Sequence, residues 1–227
     1  MIKANKLSVG YGERIVLKKL FFSLPDLRTT SIVGPGGSGK STLLKVLSGN
    51  DGEATLWKKG SFTISSQNLA YLPQKFSSNK KTLRQVLIQE NASYLNITWL
   101  LNCWKVLPNA PTLLLQNLDK PFDELSLSLQ KLLQLAITLS ERYHLIMLDE
   151  PEVGISSREQ SWLIKQLQSL NGYKTIVIVT HNLAFTYEVA DHVIFMLDGE
   201  IIESADKETF FNNPKRLRTK QFINWGS

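Results

Sequence analysis

One eight-residue stretch limits this chain more than any other: Gly34-Pro35-Gly36-Gly37-Ser38-Gly39-Lys40-Ser41. The β-like run Thr29–Val33 leads into it, and Ser41–Leu47 follows with helical character. A strand that enters a helix through a glycine-rich turn is a building unit of a parallel α/β sheet. The glycines let backbone N–H groups turn inward as a nest for an anion, and the helix aims the positive end of its dipole at the same place. Lys40 adds a point charge that reaches β- and γ-phosphates, and the Ser41 hydroxyl suits Mg2+.

Further along, His144–Leu148 reads as a buried strand ending in Asp149-Glu150. In a parallel sheet that ending puts both carboxylates at the C-terminal edge, beside the glycine-rich loop. There Asp149 can hold Mg2+ through water, and Glu150 can polarise an attacking water. The β-branched run Thr175–Thr180 ends in His181, which can reach a γ-phosphate from the same edge. Ser157–Leu170 and Leu183–Ala190 have helical spacing between these strands, and Val193–Leu197 reads as another strand. Asp198-Gly199 then marks a hairpin turn.

The middle of the chain differs. Thr82–Glu90, Asn96–Val106 and Ser126–Ser140 each fit a helix, with Pro108 and Pro111 ending the second. In the third, Leu129, Leu132, Leu133, Leu135, Ala136 and Leu139 keep close to one helical face. The stretch contains no convincing strand, so it reads as a helical insert in an α/β core. With 227 residues and a 43% hydrophobic composition, the chain has enough apolar material for a proper core. A run of about 18 apolar residues is absent, as is the apolar stretch of a secretion signal after Met1, so no membrane-spanning helix is expected. The lone Cys103 excludes an internal disulfide and a cysteine metal cluster. The net charge of +6 gathers in part at Lys215, Arg216, Arg218 and Lys220. No motif combines basic and aromatic residues as nucleic-acid readers do, so nucleic acid is not an expected partner.

The phosphate loop, the Asp149-Glu150 strand and the His181 strand, in this order, resemble the ATP-binding cassette (ABC) ATPases over nearly the whole chain. The resemblance implies a P-loop NTPase core of ABC type: a mainly parallel α/β sheet, an N-terminal antiparallel β-subdomain and an α-helical insert. It implies one domain over residues 1–227, with 1–74 and 141–227 forming the core and 75–140 the helical subdomain. Tyr11 stands where the family stacks an aromatic on adenine. Gly34, Pro35, Gly36, Gly37, Ser38, Gly39, Lys40, Ser41 and Thr42 would bind ATP. Tyr71-Leu72-Pro73-Gln74 resembles the family's glutamine loop, which makes Gln74 a contact to Mg2+ or the attacking water. Ser41, Gln74 and Asp149 are thus the implied Mg2+ set, and Glu150, His181 and Gln74 the implied catalytic set. The Asp198–Ser204 stretch resembles the hairpin after the histidine strand.

Two places depart from the family pattern. The usual signature Leu-Ser-Gly-Gly-Gln becomes Leu125-Ser126-Leu127-Ser128-Leu129 here, keeping Ser126 but losing both glycines and the polar last residue. After Pro151, where the family has Ser-Ala-Leu-Asp, this chain has Val153-Gly154-Ile155-Ser156. In the family both segments act on the nucleotide of a second cassette. The expectation is therefore an ATPase that hydrolyses weakly as a homodimer and forms a competent site with a partner cassette. The resemblance also implies separate transmembrane permease subunits, a solute-binding protein, and a place on the cytoplasmic face of the membrane. For the cargo the cues divide. The C-terminal stretch from Asp206 to Phe222 looks like polar amino acid importers, and phosphate importers end similarly. The short span from Lys40 to Gln74 is closer to zinc or manganese importers. The first expectation is import of a polar amino acid, with metal-ion or phosphate import, or a regulatory or non-transport cassette with weak hydrolysis, as the alternatives.

Overall fold

The computed structural model describes residues 2–52, 55–65, 68–74, 80–89 and 110–225. Strands β1 (Ile2–Tyr11) and β2 (Arg14–Leu24) form an antiparallel hairpin that turns at Gly12 and Glu13. β3 (Thr29–Val33) and α1 (Lys40–Ser48) follow, then β4 (Leu56–Ile64) and β5 (Leu69–Leu72). β4 pairs with the free side of β1, giving a three-stranded antiparallel sheet in the order β2-β1-β4. Lys58, Lys59 and Gly60 break the alternation that would have announced β4 in the sequence. Gly60 has φ 88°, and a Cβ there would lie 2.2 Å from the Lys6 carbonyl oxygen, opposite a register shift in β1.

Between β5 and β6 lie α2 (Leu83–Gln89), α3 (Ala110–Asn117), a 3-10 turn at Phe122–Glu124, and α4 (Leu127–Thr138). Among the described residues this stretch has no strand, only an isolated bridge from Thr82 to Pro121. Pro111 lies within a described helix, while the helix it is expected to end falls outside the described residues. It is the second residue of α3, a position that tolerates a missing N–H. The expected helix Asn96–Val106 lies outside the described residues, as does Cys103. Ser126 caps α4, its Oγ accepting from the Leu129 N–H at 3.3 Å, and all six expected core residues of this helix face are buried.

The remainder alternates as the sequence suggests: β6 (Leu145–Asp149), α5 (Ser157–Leu170), β7 (Thr175–Val179), α6 (Leu183–Val189), β8 (His192–Leu197), β9 (Glu200–Asp206), α7 (Lys207–Asn212) and α8 (Leu217–Trp225). The six-stranded sheet has the order β5-β6-β7-β3-β8-β9, parallel except for β9. Asp198 and Gly199, at φ 50° and 78°, close the β8–β9 hairpin, as a two-residue turn with both φ positive should. Alternation along the buried strands divides the core. Leu145, Met147, Val177 and Val179 face α1 and the smaller sheet, while Ile146, Leu148, Ile176 and Ile178 face α4, α5 and α6. α7 and α8 cover β8 through Phe210 and Phe222, and the Phe222 ring stacks on Phe195 at 4.5 Å. Lys215, Arg216, Arg218 and Lys220 are solvent-exposed around this packing. Among the described residues no helix is long and apolar enough to cross a membrane.

Strand order places the site. β7 lies between β3 and β6, and the register sets Asp149 beside Val179, and Val179 beside Ile32. The ends of three strands therefore open at one level, each followed by one of the polar segments singled out in the sequence.

Candidate functional site

The glycine-rich loop lines a cleft of about 600 Å³. Gly34 leaves β3 at φ 153°, where a Cβ would lie 2.1 Å from the Met196 carbonyl oxygen, so β8 admits only glycine there. The loop carbonyls of Gly34 and Pro35 both accept from Lys40 Nζ, at 2.7 and 2.8 Å, and Ser38 Oγ lies 3.4 Å from the same ammonium. Burial holds the Lys40 pKa below the ordinary lysine value, against the pull of Glu150 and Asp149. α1 begins at Lys40 behind Gly39, with no side-chain cap and no acidic residue in its first turn. Its leading N–H groups are therefore available to an anion in the cleft.

Ser41 Oγ, on the first turn of α1, donates to Asp149 Oδ1 at 3.0 Å. Asp149 is fully buried at the end of β6. Burial pushes its carboxyl above the usual range, the Ser41 hydrogen bond opposes this, and the nearby Glu150 charge adds to it. Among the described residues no cluster of three His, Cys, Asp or Glu side chains forms a protein-only metal cage. A hydroxyl and one carboxylate, both hard oxygen donors beside a phosphate-binding loop, fit Mg2+, which usually takes few protein ligands plus substrate phosphates.

Glu150 sits one residue further on, on the left-handed side of the backbone map at φ 48°. Its N–H donates to the Val179 carbonyl at 2.8 Å, and its own carbonyl accepts from Val153 N–H and Lys131 Nζ, each at 3.2 Å. The side chain is held at both oxygens. Oε1 is 3.0 Å from His181 Nδ1, and Oε2 accepts from Gln74 Nε2 at 2.5 Å. Three loops, after β5, β6 and β7, thus converge on one carboxylate.

The cleft lining includes Tyr11, Gly36, Gly37, Ser38, Gly39, Lys40, Ser41, Thr42, Gln74 and Glu150, which joins most of the expected residues. Ser126 is not part of this lining. Around it, Leu127 is 80% exposed, Leu129 is buried in the core, and Ser128 Oγ donates to the Glu159 carboxylate at 3.2 Å. Glu159 also accepts from the Ser156 N–H at 2.6 Å, while Ser156 Oγ accepts in return from Glu159 N–H at 3.4 Å, a capping box at the start of α5. Both segments that depart from the family pattern therefore meet at one carboxylate.

Some residues here escaped the sequence reading. Arg14 lines the cleft because it faces Tyr11 directly across the β1–β2 hairpin. The Gly12-Glu13 turn signal, with strand register counted outward, could have found it. Glu152 is buried, accepts a hydrogen bond from Thr180 Oγ1, and has its other carboxylate oxygen unpartnered, so burial pushes its pKa up. Lys131, a buried cation within a leucine-rich helix face, was readable only as an interruption of that face.

The phosphate loop at the end of a central parallel strand, with acids and histidine at neighbouring strand ends, defines a P-loop nucleotide-binding ATPase. The ABC transporter family model matches residues 17–153, more than half of the 227-residue chain. The chain belongs to the ABC transporter family and is an ATP-binding ATPase subunit of that class. Among similar proteins is the probable amino-acid import ATP-binding protein YxeO of Bacillus subtilis, 29% identical over 98% of this chain and 96% of the relative. The phosphate import ATP-binding protein PstB of Shewanella denitrificans is 26% identical, over 98% of this chain and 89% of its own. A solved ATP-binding subunit of an ABC transporter matches with a TM-score of 0.79 at 17% identity, covering 99% of this chain and 98% of that one. A bacterial Atm1-family ABC exporter with ATP bound matches with a TM-score of 0.81 at 18% identity, covering all of this chain and 42% of that one. At such identities the two structures establish the fold alone.

Proposed function

We propose that this chain hydrolyses Mg-ATP to drive solute import through separate transmembrane permease subunits, docked peripherally on the cytoplasmic face of the membrane. The observation that carries the reading is the Glu150 carboxylate, held between Gln74 and His181 and flanked by the Ser41–Asp149 pair. In this reading Tyr11 stacks on the adenine, and the loop from Gly34 to Thr42 wraps the phosphates. Lys40 gives up its loop carbonyls to contact the β- and γ-phosphates. Ser41, Asp149 and Gln74 hold Mg2+, which neutralises phosphate charge when bound. Glu150 accepts a proton from the attacking water, Gln74 orients that water, and His181 senses the γ-phosphate.

Residues 75–140 act in this reading as a helical subdomain on a core formed by 1–74 and 141–227, and carry the surface that meets the permease. The altered signature supports weak hydrolysis by a homodimer. Leu127 and Ser128 bring side chains where the family approaches by backbone, and Leu129 is turned into the core. Losing one preorganised donor to the transition state costs about 3–4 kcal/mol, on the order of 100- to 1000-fold in rate. A second cassette with an intact signature would complete the site over this chain's loop.

Resemblance to YxeO, named for amino-acid import, favours a polar amino acid as the cargo, delivered by a solute-binding protein. A phosphate importer is the second reading, favoured by the similarity to PstB. Metal-ion import rests only on the short Lys40–Gln74 span. The test is Glu150→Gln. The variant is expected to retain bound ATP that the wild type converts to ADP. Equal ATP retention by both proteins would refute the catalytic assignment.

A further inference from the structure

Glu150 has to be held in an unfavourable backbone conformation. At φ 48° a residue with a Cβ is strained, and such residues persist where their surroundings over-determine them. Two of the restraints are local to the α/β core: the Glu150 N–H bonded to Val179, and the Val153 N–H bonded back to the Glu150 carbonyl. The third comes from elsewhere in the fold. Lys131 projects from α4 into the interior and places Nζ 3.2 Å from the same carbonyl oxygen. The residue is only 5% exposed, and its ammonium faces the carboxylates of Glu152, Asp149 and Glu150.

A buried lysine is rare because removing its charge from water is costly. Here the charge ends at the turn that aims the catalytic carboxylate. With its carbonyl engaged by Lys131 and its N–H by Val179, Glu150 is pinned on both sides. The loss of the Lys131 contact leaves the carbonyl with the Val153 N–H alone, and frees the turn to relax toward ordinary backbone angles. The carboxylate would then move away from Gln74 and His181.

We propose that Lys131 is a positioning residue for ATP hydrolysis, fixing the Glu150 backbone from α4 so that the carboxylate stays aimed into the cleft. The proposal rests on the ATPase reading above. It adds a physical link in one chain between the helical segment and the catalytic carboxylate.

The test compares Lys131→Met, which keeps length and apolar stem but removes the donor, with Lys131→Arg, which keeps a donor. Steady-state ATPase rate, ATP affinity and melting temperature are measured on the full chain. Lys131→Met is expected to lower kcat by roughly 10- to 100-fold, the scale of a small misplacement of a reacting group. Its ATP affinity should stay within about twofold of wild type, because Tyr11 and the phosphate loop are untouched. Lys131→Arg should recover most of the rate. In a Glu150→Gln background, Lys131→Met should cause no further slowing, since the lysine acts through that carboxylate. Wild-type turnover in Lys131→Met, parallel loss of affinity and rate, or additive slowing in the Glu150→Gln background would each overturn the proposal. Lys131→Leu, which also lacks a donor, replaces the methionine variant if that one does not fold. Failure of both neutral variants beside a folded Lys131→Arg would make the lysine structural, and also overturns it. A wild-type chain that turns over while Lys131→Met matches it removes this inference alone. A wild type unaffected by Glu150→Gln removes the ATPase reading as well.

Discussion

Replacing Glu159 with alanine deprives two donors of their acceptor, the Ser156 N–H at the start of α5 and the Ser128 hydroxyl near the start of α4. The two losses differ in size. Ser156 is exposed, so water can reach its N–H, and the loss there is that of one capping interaction, about 1 kcal/mol. The Ser128 hydroxyl is half-buried and bonded to a charged acceptor, a contact of about 1–1.5 kcal/mol. The sum is about 2 kcal/mol, which for a chain of this length lowers Tm by about 4–8 °C. Thermal and urea unfolding of Glu159→Ala, Ser128→Ala and the double variant would measure it. The double-mutant cycle should give a Ser128–Glu159 coupling of about 1 kcal/mol. A fall in Tm under 1 °C, or strictly additive single effects, would refute the shared-carboxylate reasoning.

Other outcomes follow from single features. Leu133 is fully buried on α4 in the core cluster it shares with Leu72, Ile146 and Leu148, so Leu133→Ala should destabilise by about 2–5 kcal/mol in urea unfolding. Gly34→Ala places a methyl against the Met196 carbonyl and should abolish ATP binding by isothermal titration, or prevent folding. Glu203 is pulled both ways: burial raises its pKa, while the nearby Thr219 hydroxyl, the Lys215 and Arg216 N–H groups that donate to its two oxygens, and the Arg216 charge outweigh this and hold it below the ordinary value. A depressed carboxyl contributes stability above its unfolded pKa and loses it as pH falls through the lower folded value. The α8 segment should therefore become more protease-sensitive on acidification below the usual glutamate range, and Glu203→Gln should flatten that dependence.

Much of this was legible because one physical signal dominated at each place. The central strands of the larger sheet are buried on both faces, so Leu145–Leu148 and Thr175–Thr180 announced themselves as short apolar runs. α5 begins at a serine cap and its Asn171-Gly172 stop is in the sequence, so both bounds fall as expected. The phosphate loop and the strand-end acids needed only the rule that parallel sheets gather such residues at one edge. β4 was hidden because it is an edge strand of the smaller sheet, where Lys58 and Lys59 are tolerated in solvent and obscure the alternation. β5 is four residues long and was readable only as the approach to Gln74. α3 was hidden because Pro111 reads as a stop, although a proline near a helix start is equally allowed. Arg14 reaches the site by pairing across a hairpin and is found only by counting register outward from its turn, whereas Lys131 reaches it through packing between distant segments, which no local pattern encodes.

The meeting of Ser128 and Ser156 at Glu159 bears on what happens when the family's usual residues are placed at these two positions. Restoring glycine at 128 alone would strip one hydrogen bond from a buried carboxylate. Restoring aspartate at 156 alone would bring a second negative charge beside Glu159. Each step back weakens the surroundings of the same carboxylate, so the two positions are coupled through Glu159. The usual family signature grafted in isolation onto this chain would then be a poor measure of what the signature does. The informative reversion is the paired one, made together with a change at Glu159.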